Sequence, residues 1–271
     1  MDSKDIEVAE EGAVGWITIQ RPDRLNALRM SVSDREIIDA LDTFAARDDI
    51  RVIVLTGAGG RAFCTGWDMD EIGDTSLTEL EALVRRNTEL FDAVWRQRQP
   101  VIAAVNGHAV ATGAALAMAC DLVVAADTAR LAEPEIRHGA LSPFLILPFL
   151  THAKPAQEFY FLGDAIDADT MLRLGLANRV VPAEQLHATT QSLAERLALV
   201  PREALELKKR SLKGAYDLMG LRAANERHAL SDAIMLGADL PWQRRLQDIL
   251  HNEGMRAFLE ARDDPFRKST S

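Results

Sequence analysis

The stretch Pro100–Ala126, PVIAAVNGHAVATGAALAMACDLVVAA, decides the fold. It opens on an apolar strand, Val101-Ile102-Ala103-Ala104-Val105, breaks at Asn106-Gly107, and enters a helix, Gly113–Cys120, that is apolar on every side. A second apolar strand, Leu122–Ala126, follows at once. Short strands without polar alternation suit a sheet covered on both faces, and a helix apolar all round must be buried. Outward from this stretch the same rhythm returns. Val52-Ile53-Val54-Leu55 begins another block of strand, small-residue turn and helix, with helices predicted at Leu77–Gln97 and Phe144–Thr151. The pattern is α/β, with repeated units.

Towards the N-terminus, Ala13–Ile19 alternates and is β-branched, which predicts a strand. Ser31–Arg47 carries Val32, Ile37, Ile38, Leu41, Phe44 and Ala45 on one face and reads as an amphipathic helix. After Asp164 the strand signals fade to one, Ala177–Val181, between helices at Ala168–Leu174 and Ala183–Val200. From Pro201 the chain reads as helical to Phe258, with connections near Gly214 and at Gly237–Pro241. This divides the chain into a core, 1–195, and a helical region, 196–271, that caps the core or packs on a partner subunit.

Bulk properties exclude several classes. The chain has 271 residues, 48% of them apolar, and a formal charge of −10. General nucleic-acid binding needs a basic face and is not expected. Two cysteines, Cys64 and Cys120, are too few for a disulfide framework. Met1–Glu11 is acidic and lacks the apolar core of a leader, and no apolar run approaches the ~18 residues of a membrane span. A cytoplasmic protein without a membrane segment is expected. No spacing of His, Cys, Asp or Glu suggests a metal site.

The turns carry the chemistry. Gly57-Ala58-Gly59-Gly60-Arg61-Ala62 formally fits a dinucleotide fingerprint, but no helix follows it directly, so the match is weak. In Ala62-Phe63-Cys64-Thr65-Gly66-Trp67-Asp68-Met69, Gly66 lets the backbone approach a ligand and leaves the Trp67 amide free to point outward. Thr112 opens the buried helix, where unpaired amides and the helix dipole favour an anion. Two such amides aimed at one point form an oxyanion hole. Two tight turns in a packed fold would look the same, and spacing alone does not separate these readings.

Six ordered runs resemble the crotonase superfamily of enoyl-CoA hydratases and isomerases: Gln20–Leu28, Ala62–Asp68, Pro100–Gly107, Ala119–Leu122, Ala132–Ile136 and Glu253–Phe258. The similarity runs from about residue 6 to 266. It implies a spiral of repeated ββα units with a helical C-terminal trimerisation region, assembled as a homotrimer or a dimer of trimers. The implied ligand is an acyl-coenzyme A thioester, with coenzyme A entering as part of the substrate and no separate cofactor. The Trp67 and Thr112 amides would hold the thioester carbonyl. Leu25, Ala27, Thr65, Asp68, Met69 and Asp70 would line the coenzyme A site, and Phe258 would lie near the adenine of a neighbouring subunit. The basic residue expected soon after Phe258 is displaced: Ala261 stands there and Arg262 follows.

The carboxylates depart from the hydratase pattern. Hydratases of this family resemble one another in two glutamates flanking the reacting double bond. Here the second position is Glu135, but the first falls on Ala115, which transfers no proton. The preceding glycine triplet is altered to Ala111-Thr112-Gly113. A single glutamate resembles the isomerase arrangement, in which one carboxylate relocates a proton while the oxyanion hole holds the dienolate. Isomerisation is therefore expected over hydration. Thioester hydrolysis, decarboxylation and a non-catalytic crotonase-like binding protein are the alternatives. His138 reads as a structural or supporting residue with a second acid/base role as the alternative, His108 and Asp121 as structural, and Phe144 and Leu145 as acyl-pocket or core.

Overall fold

The structure is a computed structural model that describes residues 5–30, 32–68, 88–142 and 144–268. Met69, Asp70 and most of the helix expected at 77–97 lie outside the described residues.

Two sheets form the core. The larger has six strands: β1 (Ile6–Glu11), β2 (Val14–Ile19), β3 (Val52–Gly57), β5 (Val101–Val105), β7 (Leu122–Ala126) and β10 (Arg179–Val181), adjacent in that order. β1 pairs antiparallel with β2, and every other pair is parallel. The smaller sheet is built from β4 (Ala62–Cys64), β6 (His108–Val110), β8 (Arg130–Ala132) and β9 (Ile166–Asp167), again in order. Each of the successive pairs β3–β4, β5–β6 and β7–β8 gives its first strand to the large sheet and its second to the small one. The first two pairs lead on towards helices, α2 (88–96) and α3 (Thr112–Ala119), as repeated ββα units require.

The pleat explains the apolar runs. Successive side chains of a strand face opposite ways. Ile17, Ile19, Ile53, Leu55, Ala103, Val105, Val123 and Ala125 therefore join one buried cluster, together with Ile37, Leu41 and Phe44 of α1 (Ser33–Ala45). Val14, Trp16, Val52, Val54, Ile102, Ala104, Val124 and Ala126 join the other, under Leu186 and Ala194 of α7 (Leu186–Ala198). Trp16 is locked there by stacking on His187 at 4.4 Å and donating to Gln191 at 3.0 Å.

Short helices α4 (Leu147–Leu150), α5 (Ala153–Leu162) and α6 (Ala168–Arg173) follow β8, and α8 (Arg202–Leu218), α9 (Leu221–Leu236), α10 (Pro241–Glu253) and α11 (Met255–Lys268) end the chain. The helix expected at Phe144–Thr151 shrinks to the four residues of α4, with 144–146 outside it; α5 has no counterpart in the sequence reading. Gly214 lies inside α8 without breaking it. A helix interior tolerates one glycine at about 1 kcal/mol, and the break comes instead at Gly220, whose φ of 97° ends the helical path. The helix predicted to stop at Phe258 continues to Lys268.

α8 is anchored by a buried cation. Lys209 Nζ lies 2.6 Å from Asp121 Oδ2 and donates to the Gln99 carbonyl at 2.9 Å. Lys213 takes the other Asp121 oxygen at 3.1 Å and covers the Trp95 ring at 3.3 Å. Asp121 is thus structural, as its sequence context suggests.

Candidate active site

The small sheet positions the site. β4, β6 and β8 run parallel, with Cys64 opposite Ala109 and Val110 opposite Ala132, so all three end on the same side. Just beyond those ends the chain delivers Trp67, then Thr112, then Glu133 and Glu135. Ligands of α/β sheets commonly bind outside such carboxyl ends.

The first turn is braced from below. Leu25 and Asn26 are left-handed, at φ 51° and 57°. Fully buried Asn26 makes this possible: its Oδ1 accepts from the Arg21 amide at 3.1 Å, and its Nδ2 donates to the carbonyls of Ala58 and Ala62 at 2.9 and 2.7 Å. The chain then bridges to the Trp67 turn, with Leu28 N donating to Gly66 O and Asp68 N to Leu28 O, both at 2.8 Å. Thr65 Oγ1 donates to Leu25 O at 3.1 Å. Arg21 donates to the Ala27 carbonyl and to Asp68 Oδ2, the latter at 2.8 Å. Leu25, Ala27, Thr65 and Asp68 are thus brought into one patch. Met69 and Asp70 lie outside the described residues.

The second turn touches the first. Ala111 sits at φ 60°, ψ −128°, a conformation favouring glycine, and its amide donates to Ala132 O at 2.8 Å. A Cβ on Gly66, itself at φ +95°, would stand 2.8 Å from Ala111 Cβ and 3.6 Å from Thr112 N. A Cβ on Gly113 would fall 2.0 Å from the Cys64 carbonyl, so α3 packs directly on β4. Among the described residues neither the Trp67 nor the Thr112 amide donates to an acceptor within the chain. Ala115, one turn into α3, is fully buried. Gly57–Ala62 leads into β4 rather than a helix, which removes the dinucleotide reading.

The carboxylates stand on the 3-10 turn Pro134–His138 and the residue before it. Both Glu133 and Glu135 line a cavity of about 410 Å³ between this turn, a strap made of 141–142 and 144–146, α5 and α9. The cavity wall reaches the carboxylates but not Trp67 or Thr112; the two parts meet through Ala132, which carries the Ala111 hydrogen bond on one side and Glu133 on the other. Burial pushes Glu135 up to about 7, with Arg262 opposing and Asp232 adding to the rise. Glu133 is 3% exposed, and neither of its oxygens has a hydrogen-bond partner. Burial, and then the neighbouring Glu135, hold it well above the ordinary carboxylate range, with the nearby Ser142 hydroxyl opposing.

The strap is held by α9. Asn225 accepts from Leu145 N at 2.8 Å and donates to Leu145 O at 3.1 Å; Asp232 accepts from Leu141 N at 2.8 Å; His228 Nε2 contacts Ser142 O at 2.6 Å. Leu145 faces the cavity, whereas Phe144 is core, stacked on Phe91 at 5.3 Å. His138 lies edge-on to Phe258 at 5.5 Å, and burial with Arg262 pushes it down to about 4, so it is neutral near pH 7. Phe258 is itself buried within its own chain. Among the described residues no three His, Cys, Asp or Glu side chains could hold a metal ion, and no helix is long and apolar enough to cross a membrane.

Glu133, which the sequence pattern does not single out, joins Glu135 in this cavity. Its signal was present in Ala132-Glu133-Pro134-Glu135, two carboxylates flanking a proline, yet only a packed α5 and α9 give it a buried setting.

Comparison with known proteins agrees with this architecture. Residues 9–269 match the family model described as Enoyl-CoA hydratase/isomerase. A probable enoyl-CoA hydratase of Mycobacterium bovis is 33% identical, covering 98% of this chain and 99% of its own. Crotonyl-CoA hydratase of Syntrophomonas wolfei is 30% identical, with coverage of 98% and 99%. The crystal structure of an enoyl-CoA hydratase/isomerase from Xanthobacter autotrophicus Py2 superimposes with a TM-score of 0.92 at 29% identity, covering 97% of this chain and 98% of that one.

Proposed function

Because the chain belongs to the enoyl-CoA hydratase/isomerase family, a crotonase-fold family of enzymes acting on coenzyme A thioesters, we propose that it relocates the double bond of an enoyl-CoA. The thioester oxygen sits between the Trp67 and Thr112 amides, where negative charge developing on it is stabilised. Glu135 removes the proton next to the carbonyl, and the dienolate is reprotonated further along the chain. A base titrating near the working pH is effective in both directions, and Glu135 at about 7 meets that condition. The observation that carries this reading is Ala115: it is buried and apolar, so α3 supplies no proton carrier.

A second reading, hydration, is favoured by Glu133, a second carboxyl in the same cavity. Incubation with 2-enoyl and 3-enoyl thioesters separates the two. Proton relocation without a mass change supports isomerisation; a gain of ~18 mass units, with a proton delivered by a second group, means hydration. Glu135→Gln should abolish turnover while thioester binding persists, and full turnover in that variant refutes the assignment.

Coenzyme A, as part of the substrate, is proposed to run along Leu25, Ala27, Thr65 and Asp68 and on to Met69 and Asp70, with Phe258 near the adenine bound by a neighbouring subunit. A homotrimer or dimer of trimers in the cytoplasm is the proposed working state. Exposed Leu207, Leu212, Leu218 and Met219 on and just beyond α8 support an assembled form, which light scattering tests.

A further inference from the structure

Glu133 is out of place for a structural residue. Buried carboxyls ordinarily find hydrogen-bond partners, yet at 3% exposure neither Glu133 oxygen makes a well-formed one, and the Ser142 hydroxyl, already turned to Phe144 O, is the group close enough to favour its ionised form. It is separated from Glu135 by Pro134 alone, and the two line one cavity of about 410 Å³. One Glu135 oxygen, Oε2, is equally without a partner. Of the other polar groups in the lining, Ser142 donates to Phe144 O, Tyr160 accepts from the amides of Ile146 and Leu147, His228 engages Ser142 O, and Gln157 lies exposed at the rim. Two neighbouring carboxyls in a shared buried setting do not both ionise, so the pair retains a proton, one member acting as acid and the other as base.

We infer that Glu133 is the second proton carrier of the site, the acid that delivers a proton to the acyl chain after Glu135 has taken one from it. This goes beyond the proposed function, in which Glu135 alone takes and returns the proton, and rests on that reading for Glu135 as the base. In a turnover, the Glu135 carboxylate removes a proton from the carbon beside the thioester, and that C–H electron pair enters the enolate held at Trp67 and Thr112. The Glu133 O–H bond then breaks, and its proton forms a C–H bond at the far end of the dienolate. Glu133 is left ionised and Glu135 protonated; transfer of that proton from Glu135 to Glu133, directly or through water, restores the pair. The same two groups would serve hydration, Glu135 receiving the proton of the adding water and Glu133 protonating carbon.

The test separates the two carboxyls. Exchange of the α-protons of butyryl-CoA in heavy water needs only the base and the oxyanion hole. Glu133→Gln should keep this exchange within about threefold of wild type, lower kcat for enoyl-CoA turnover by about 100-fold or more, and erase the alkaline limb of the kcat–pH profile. Glu133→Leu removes the buried carboxyl and should unfold no earlier than wild type, so its loss of turnover cannot come from misfolding. Turnover by Glu133→Gln within about threefold of wild type overturns the inference and leaves Glu135 standing. Equal loss of exchange and turnover makes Glu133 a packing residue and also overturns it. Glu135→Gln that still exchanges refutes the base and takes both readings down.

Discussion

Replacing Gly66 with alanine probes the contact that brings the two amide turns together. The added Cβ would lie 2.8 Å from Ala111 Cβ, and Gly66 itself stands at φ +95°. A side chain in that conformation costs on the order of 1–3 kcal/mol. Relieving the overlap costs on the order of 1–3 kcal/mol more, and about 3 kcal/mol in total is expected from urea unfolding. The movement also reaches Thr112 N, 3.6 Å from the same Cβ. Loss of one oxyanion donor is typically worth ~10²–10³ in kcat, so a fall of about 100-fold with little change in KM is expected. Ala111→Gly supplies the control. It removes the opposing methyl and relaxes a residue held at φ 60°, so alone it should stabilise by about 1 kcal/mol. In the double variant the overlap is gone while the strain at position 66 remains. A coupling energy of at least ~1 kcal/mol and about a tenfold recovery of kcat should appear. Effects that add within about 0.5 kcal/mol, or a Gly66→Ala enzyme with wild-type kcat, would refute the reasoning.

Three further outcomes follow from the same geometry. Glu135 is held at about 7 against an ordinary 4.5, so the stability it contributes is full below 4.5 and is lost as the pH rises through 7. Denaturation at pH 5 and pH 8 should differ by about 2 kcal/mol from this group, and Glu135→Gln should remove that difference. Asn26→Ala leaves the Arg21 amide and the carbonyls of Ala58 and Ala62 without their partner; a loss of about 2–4 kcal/mol in unfolding free energy is expected. Lys209→Met strands the Gln99 carbonyl and half of Asp121. It should cost about 3 kcal/mol, with hydrogen exchange rising first in α8.

Legibility in the sequence follows the length of each signal. β3, β5 and β7 are readable because both their faces are covered, which turns them into unbroken apolar runs. β4, β6 and β8 have three residues each, too few for a period to register, so the second sheet reads as turns. α5 is obscured because only Ala156 and Phe159 are buried along it, and Pro155 stands near its start. Gly214 misleads in the opposite direction, since one glycine resembles a break that surrounding helix formers override. In the site, Trp67 and Thr112 are visible through the small residues their turns need. Glu133 is not, because its burial depends on α5 and on an α9 that lies some 90 residues downstream.

The three short strands of the smaller sheet also set what an occupant does mechanically. β4, β6 and β8 are joined through few backbone pairs, and between Ala62 and Cys64 the register is irregular. A thioester gripped at Trp67, at Thr112 and beside Glu135 would span all three strand ends and act as a staple across them. Such a molecule binds only when the three ends are aligned, so its binding energy is added to the force resisting their separation. Amides in these strands, distant from one another along the chain, should then lose their independent opening and exchange as one cooperative block once the site is filled.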